Sequence, residues 1–158
     1  MTDVAGLAGF LVICFVAAAV GGVATAGAVR SWYPTLRKPS WNPPAWLFGP
    51  VWSVLYLALA VAAWLVWRTR EAADVGVALG LFGTQLALNV LWSVLFFGLR
   101  RPGWAVVDIA LLWVAIAATA AAFWPLDPLA SALLLPYLAW VTFASALNAS
   151  IFQLNRSS

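Results

Sequence analysis

The sequence contains no histidine, one cysteine and one methionine, and only 8% of its 158 residues are charged. A lone cysteine, Cys14, cannot form a disulfide within the chain. Without histidine, and with Met1 as the one methionine, the apolar segments lack two common axial ligands of haem iron, and no metal site is predicted. There is also no glycine-rich phosphate-binding motif. These absences argue against oxidoreductase, hydrolase and nucleic-acid-binding functions.

Apolar residues dominate the chain. They make up 65% of the sequence, and the mean hydropathy is +0.98. A water-soluble domain usually carries roughly a quarter charged residues, so most of this surface must face lipid. The net charge of +3 comes from basic residues that lie between apolar stretches, where it indicates membrane topology. The composition therefore predicts an integral membrane protein whose partner is the lipid bilayer.

Five apolar stretches are long enough to cross a bilayer, which takes about 20 residues of helix. Helices are required because lipid cannot satisfy free backbone groups, and these runs lack the alternating polarity of barrel strands. The short connections predict one all-α membrane domain over residues 1–158, a bundle of five transmembrane helices. The predicted helices span about residues 4–29, 46–67, 75–99, 104–123 and 129–152, with a loop at 30–45.

The basic residues are divided unequally between the two sides of such a bundle. Arg68 and Arg70 share a side with the N-terminus. The opposite side carries six basic residues, which are Arg30, Arg37, Lys38, Arg100, Arg101 and Arg156. The positive-inside rule predicts that this second side, with the C-terminus, is cytoplasmic and that the N-terminus is outside.

The loop at residues 30–45 contains four prolines, at positions 34, 39, 43 and 44. Proline fixes φ and removes an amide donor, so we expect a stiff, non-helical segment. Its tryptophans could form an interfacial aromatic belt at the level of the lipid headgroups. Alternatively, the loop could be a lid over a cavity between helices, and composition does not decide between the two.

Polar and aromatic residues recur at helical spacing on one face of three predicted helices. Buried amides facing lipid would cost several kcal/mol, so Gln85 and Asn89 should point into the bundle. An aromatic interior with a few amides suits a flat, largely apolar ligand. The amides could equally well hydrogen-bond one helix to another. The stripes comprise Trp52 and Tyr56; Gln85, Asn89, Trp92 and Phe96; and Tyr137, Trp140, Ala144 and Asn148.

Asp108 is the one acidic residue well inside a predicted span. A carboxylate at this depth is a candidate for a proton path, but no second buried acid, histidine or lysine accompanies it. We therefore expect a structural ion pair with Arg100 or Arg101.

Small residues at Gly76, Gly80 and Gly83 lie on nearly the same face of the third helix. This spacing allows two helices to approach closely. The stripe could be the interface of a homodimer, or it could pack inside the bundle.

Motifs across nearly the whole chain resemble the TspO family of tryptophan-rich sensory and translocator proteins. They appear in the order that the family shows. The motifs are Trp32-Tyr33-x-x-Leu36-x-Lys38-Pro39-x-Trp41-x-Pro43-Pro44, Trp52, Gln85-Leu86-x-x-Asn89-x-x-Trp92, Phe96-Phe97, Pro136-Tyr137-Leu138-x-Trp140, Ala144 and Leu147-Asn148.

The resemblance implies a five-helix bundle, commonly homodimeric, with a pocket beneath the first loop that binds porphyrins such as protoporphyrin IX or haem. No cofactor is required. Trp52 and Trp140 match the two tryptophans associated in bacterial members with light-dependent breakdown of porphyrin. The ligand-binding residues that the resemblance implies are Tyr33, Pro43, Trp52, Tyr56, Asn89, Trp92, Ser93, Trp140 and Ala144.

The resemblance thus implies a membrane-embedded tetrapyrrole-binding sensor or translocator that regulates tetrapyrrole synthesis or stress responses. The alternatives are a light-dependent porphyrin-degrading enzyme that uses Trp52 and Trp140, and a small-molecule transporter. The family's cholesterol motif has tyrosine where this chain has Ala149, which argues against a sterol. Seven arginines against one lysine, with abundant alanine, indicate a GC-rich bacterial genome.

Overall fold

The computed structural model describes residues 3–157, so Met1, Thr2 and Ser158, which belong to the predicted domain, lie outside the described residues. The described chain is helical and contains no strand. Five of its segments are long and apolar enough to cross a membrane, which confirms the predicted fold class. These segments are Asp3–Ser31, Ala45–Trp67, Gly76–Gly98, Pro102–Phe123 and Pro128–Asn155.

The described residues form six α-helices, one π-helical turn and two single 3-10 turns. The 3-10 turns, Tyr33–Thr35 and Ala45–Leu47, stand at the two ends of the loop. The helices are α1 (Asp3–Ser31), α2 (Phe48–Trp67), α3 (Gly76–Ser93), α4 (Pro102–Phe123), α5 (Pro128–Leu133) and α6 (Leu135–Asn155).

Proline determines where the last span begins and where it breaks. Pro128 opens α5, where a missing amide costs nothing, and the Asp127 carboxylate accepts a 3.0 Å hydrogen bond from the amide of Ala130. Pro136 has no amide for the carbonyl four residues before it, and its ring crowds that carbonyl. The helix is therefore interrupted at Leu134, and α6 begins at the next residue.

The C-terminal end of the third span widens into a π-helix over Val94–Gly98. There the amide of Leu99 bonds to the carbonyl of Val94, five residues earlier, at 2.7 Å. Phe96 and Phe97 are both buried and lie in contact, with 4.7 Å between ring centroids. The π-turn thus lets two consecutive rings face the interior, and such turns are frequent at functional sites.

Small residues allow the spans to pack closely. Ala60, Ala62 and Ala63 of α2 are fully buried. α1 lies against α2 and α3, α3 against α4, and α4 against α6. At the end of the bundle where α1 begins, Asp3 pairs with Arg68 at 3.5 Å, while the loop at residues 30–45 lies at the opposite end with the C-terminus of α6.

The ion pair expected for Asp108 is wrong. Asp108 is 4% exposed, and neither carboxylate oxygen has a hydrogen-bond partner among the described residues. Because α4 begins at Pro102, Asp108 lies about 9 Å into the helix on its inward face. Arg100 and Arg101 instead remain exposed beyond the helix end, on the surface of the bundle.

The glycine stripe of α3 faces outward. Gly76, Gly80 and Gly83 are all exposed, and a Cβ added at Gly80 or Gly83 would meet no atom within 4 Å. The sequence allowed this stripe to be either a dimer interface or a packing surface inside the bundle. Gly80 and Gly83 do not pack inside the bundle.

Candidate functional site

A cavity of about 470 Å³ lies between α1, α2, α3 and α6. Its volume falls in the range of small-molecule sites, ~300–1,000 Å³. The loop at residues 30–45, which we call the lid, contributes Arg30, Tyr33 and Ala45 to the wall. The cavity is thus bounded by helices along the span and by the lid at one end.

The structure brings together all but one of the residues that the resemblance implied for ligand binding. Pro43 is half-buried but does not line the cavity. The implied residues in the wall are Tyr33, Trp52, Tyr56, Asn89, Trp92, Ser93, Trp140 and Ala144.

Asn89 occupies the centre of a hydrogen-bonded chain that joins three helices. The Tyr56 hydroxyl donates to Asn89 Oδ1 at 3.1 Å, and Asn89 Nδ2 donates to the Tyr137 hydroxyl at 2.5 Å. All three side chains are buried. Asn89 therefore links α2, α3 and α6 by hydrogen bonds and also forms part of the cavity wall. The sequence left open whether the amides face a ligand site or bond one helix to another, and Asn89 does both.

Gln85, the second amide of the stripe, is fully buried, which confirms its predicted inward orientation. Its side chain, however, has no hydrogen-bond partner among the described residues, and it does not line the cavity. The two amides of α3 therefore have different surroundings, although one helical turn separates them.

A second polar contact fixes the indole of Trp92. Its Nε1 donates to Asn148 Oδ1 at 3.0 Å, and Asn148 Nδ2 donates to the carbonyl of Pro102 at 3.1 Å. The Trp92 ring stacks on Phe96 with 5.4 Å between centroids. One face of the cavity is thereby a preorganised aromatic surface, because its rings are held by hydrogen bonds and by neighbouring rings.

Two further tryptophans of the wall, Trp52 and Trp140, lie against each other. The rings of Trp52 and Trp140 are in edge-to-face contact. The Trp140 Nε1 atom is buried and has no acceptor among the described residues. A buried donor without an acceptor costs about 1–3 kcal/mol. A ligand with an acceptor atom within reach of this N–H would recover part of that free energy by forming the missing hydrogen bond.

Tyr33 holds the lid in its folded conformation. Its hydroxyl donates to Asn42 Oδ1 at 2.8 Å, and burial raises the pKa of Tyr33 to about 12 despite that hydrogen bond, which lowers it. Lys38 Nζ donates to the carbonyls of Tyr33 and Leu36 and lies 4.9 Å from the centroid of the Tyr33 ring. These contacts make the lid an ordered cap.

Two contacts attach the lid to α6. The Trp41 ring packs edge-on against Phe143 with 5.6 Å between centroids. The amide of Arg37 donates to Asn155 Oδ1 at 3.0 Å, and Asn155 Nδ2 donates back to the carbonyl of Arg37 at 2.9 Å. The lid is therefore fastened to the same helix that carries Trp140.

Sequence reasoning missed the contribution of α1 to the cavity. Ala18, Gly21, Thr25 and Val29 line it, at the helical spacing of a single face. That stripe of mostly small residues was visible in the sequence, but it carried no amide and a single aromatic residue, Phe15, lines the cavity from α1. Arg30, at the end of α1, is the one charged residue among the described residues that line the cavity, and it gives this part of the wall a positive charge.

Fold and cavity together define a multi-pass α-helical membrane protein with an internal aromatic pocket closed at one end by a loop. The model of the TspO/MBR family matches residues 10–154, and the chain belongs to that family.

Named relatives come from animals, bacteria and archaea. The chain is 47% identical to the Translocator protein of Homo sapiens over 129 residues, which cover 78% of this chain and 75% of that protein. It is 46% identical to the Tryptophan-rich protein TspO of Chlorobaculum tepidum over 147 residues, or 90% and 91% of the two chains. Protein CrtK of Rhodobacter capsulatus is 40% identical over 147 residues, covering 92% and 90%.

Proposed function

We propose that the cavity binds a porphyrin-type tetrapyrrole and that the protein acts as a sensor or translocator that regulates tetrapyrrole synthesis or stress responses. The observation that carries this proposal is an aromatic cavity of about 470 Å³ with one cationic residue, Arg30, in its wall. A flat macrocycle can stack on the fixed surface formed by Trp92 and Phe96. Its carboxylates would then pair with Arg30.

Titration with protoporphyrin IX tests this function. Porphyrin added to purified protein in lipid nanodiscs should quench tryptophan fluorescence saturably, and Trp140→Phe should weaken binding because it removes indole area from the wall. Trp124→Phe is the matched control, since Trp124 is 61% exposed and does not line the cavity. Saturable binding that is unaffected by both Trp52→Phe and Trp140→Phe would place the ligand elsewhere and contradict the proposal.

The contact between Trp52 and Trp140 favours a second candidate function, the light-dependent degradation of porphyrin. Both indoles line the cavity, so a bound macrocycle would lie within reach of either ring. An indole can give an electron to an excited porphyrin, with dioxygen as the oxidant in air. This activity would use the same site as the first function. The bound porphyrin would be degraded there, whereas a sensor or translocator leaves it intact.

Two further properties belong to the proposal. The outward-facing stripe of Gly76, Gly80 and Gly83 supports a homodimer, because small exposed residues allow a second helix to approach. The excess of basic residues at the lid end supports a cytoplasmic location for the lid and the C-terminus, with the N-terminus outside.

A further inference from the structure

A second concave surface, of about 540 Å³, opens at the lid end on the outside of the bundle. We call it the arginine groove, because Arg100, Arg101 and Arg156 all line it. Four apolar residues also line it: Trp32 and Leu36 of the lid, Trp104 of α4 and Phe152 of α6. It lies between the start of α4 and the end of α6.

The positive charge of this groove is not neutralised within the described chain. The ion pairs found in residues 3–157 are Arg68 with Asp3 and Arg70 with Glu71, and both lie at the opposite end of the bundle. All three arginines of the groove are exposed. Their guanidinium groups are thus free to bind a phosphate, for which the guanidinium fork is well suited.

Apolar surface continues from the groove along α4. Trp104, Val107 and Leu111 are 64%, 52% and 56% exposed, and their spacing places them on one face of the helix. This face descends into the membrane from the level of the arginines. Phosphate-binding charge above an exposed apolar stripe matches the two parts of a phospholipid.

We propose that the arginine groove binds one anionic phospholipid, with its phosphate on Arg100, Arg101 and Arg156 and an acyl chain along Trp104, Val107 and Leu111. The site is separate from the central cavity, with which it shares no lining residue.

Native mass spectrometry of protein released from nanodiscs of phosphatidylcholine and phosphatidylglycerol tests the proposal. We expect one phosphatidylglycerol per chain to be retained after phosphatidylcholine has been lost. Each of Arg100→Gln, Arg101→Gln and Arg156→Gln should lower its affinity by about fivefold. Arg37→Gln removes the same charge at the same end of the bundle but outside the groove, and it should leave retention unchanged.

Three outcomes would overturn the proposal. Equal retention of the two lipids would show that the groove does not select an anion. If Arg37→Gln lowered the retention of phosphatidylglycerol as much as the groove variants do, general surface charge, rather than this groove, would hold the lipid. If inorganic phosphate in a zwitterionic detergent raised the melting temperature as much as phosphatidylglycerol does, the occupant would be free phosphate. The circular dichroism signal of the helices establishes whether each variant is folded. If one arginine variant does not fold, the other two still test the proposal.

Discussion

Trp52 and Trp140 meet edge to face across the cavity wall, with 6.4 Å between ring centroids and 88° between ring planes. Trp52 also contacts Tyr137, at 6.3 Å, so α2 and α6 are joined by rings at the level of the cavity. Each indole is held by a neighbour as well as exposed to a ligand. The two rings therefore form one unit, and we expect substitutions of either to affect the same property.

The first prediction concerns photochemistry at this pair. Under illumination in air, bound protoporphyrin IX should lose its Soret absorbance faster than porphyrin in protein-free nanodiscs. Trp52→Phe should reduce the rate to the protein-free value, because phenylalanine keeps a ring but is a much poorer electron donor than indole. The measurement is the absorbance decay at equal bound porphyrin.

Trp124→Phe serves as the control for the general effects of removing an indole, and its decay rate should equal that of the wild type. If Trp52→Phe and Trp140→Phe both bind porphyrin and degrade it at the wild-type rate, the proposed role of these two indoles in degradation is wrong, while the binding function stands.

The second prediction concerns Arg30, the charged residue of the cavity wall. Arg30→Gln should lower the affinity for protoporphyrin IX by about tenfold or more, because charge-assisted hydrogen bonds to carboxylates contribute ~1.5–3 kcal/mol to binding. The dimethyl ester of the same porphyrin has no carboxylate and is the matched ligand. It should bind the wild type and the variant equally, as measured by fluorescence quenching.

A loss of affinity that is the same for the acid and the ester would mean that Arg30 acts through the shape of the cavity. The pairing of Arg30 with porphyrin carboxylates would then be wrong.

Much of the fold followed from the sequence because lipid imposes a simple rule. A stretch of about 20 apolar residues must be a helix, so five such stretches predicted five spans. The aromatic stripes were also predictable, since the inward orientation of Gln85 and Asn89 followed from the cost of exposing an amide to lipid. Periodicity therefore indicated which face of α2, α3 and α6 points inward.

Periodicity did not indicate which helix each face would meet. Lipid-facing and buried positions are both apolar here, so α1, with Ala18 and Thr25 on the cavity, gave no contrast between its faces. The environment of Asp108 was mispredicted for a related reason. Its distance from Arg101 along the chain suggested a pair, but the direction of its side chain depends on the rotation of α4, which packing against α3 and α6 determines.

The third prediction concerns the hydrogen-bonded chain through Asn89. Tyr137→Phe should destabilise the fold by about 1–3 kcal/mol, because it leaves the buried Asn89 Nδ2 without its acceptor. Ser31→Ala is the control, since it removes an exposed hydroxyl bonded only within its own helix, to the carbonyl of Gly27. Thermal unfolding in one detergent, followed by circular dichroism, compares the two.

A melting temperature of Tyr137→Phe that matches that of Ser31→Ala would show that Asn89 finds another acceptor. In that case the chain from Tyr56 to Tyr137 would not be what holds α2, α3 and α6 together.

The fourth prediction concerns the exposed glycines of α3. Gly80→Leu should shift the chain from dimer to monomer in mild detergent, because a leucine side chain would keep a second helix from approaching the stripe. It should not disturb the fold of the single chain, since a Cβ at Gly80 meets no atom within 4 Å. Gly9→Leu is the matched control: Gly9 is also exposed and has open space around it, but it lies on α1. Cross-linking yield at fixed protein concentration should fall for Gly80→Leu and stay constant for Gly9→Leu. An unchanged yield for Gly80→Leu would exclude this stripe as the dimer interface, whereas an equal fall for both variants would point to a general effect of added bulk on the lipid-facing surface.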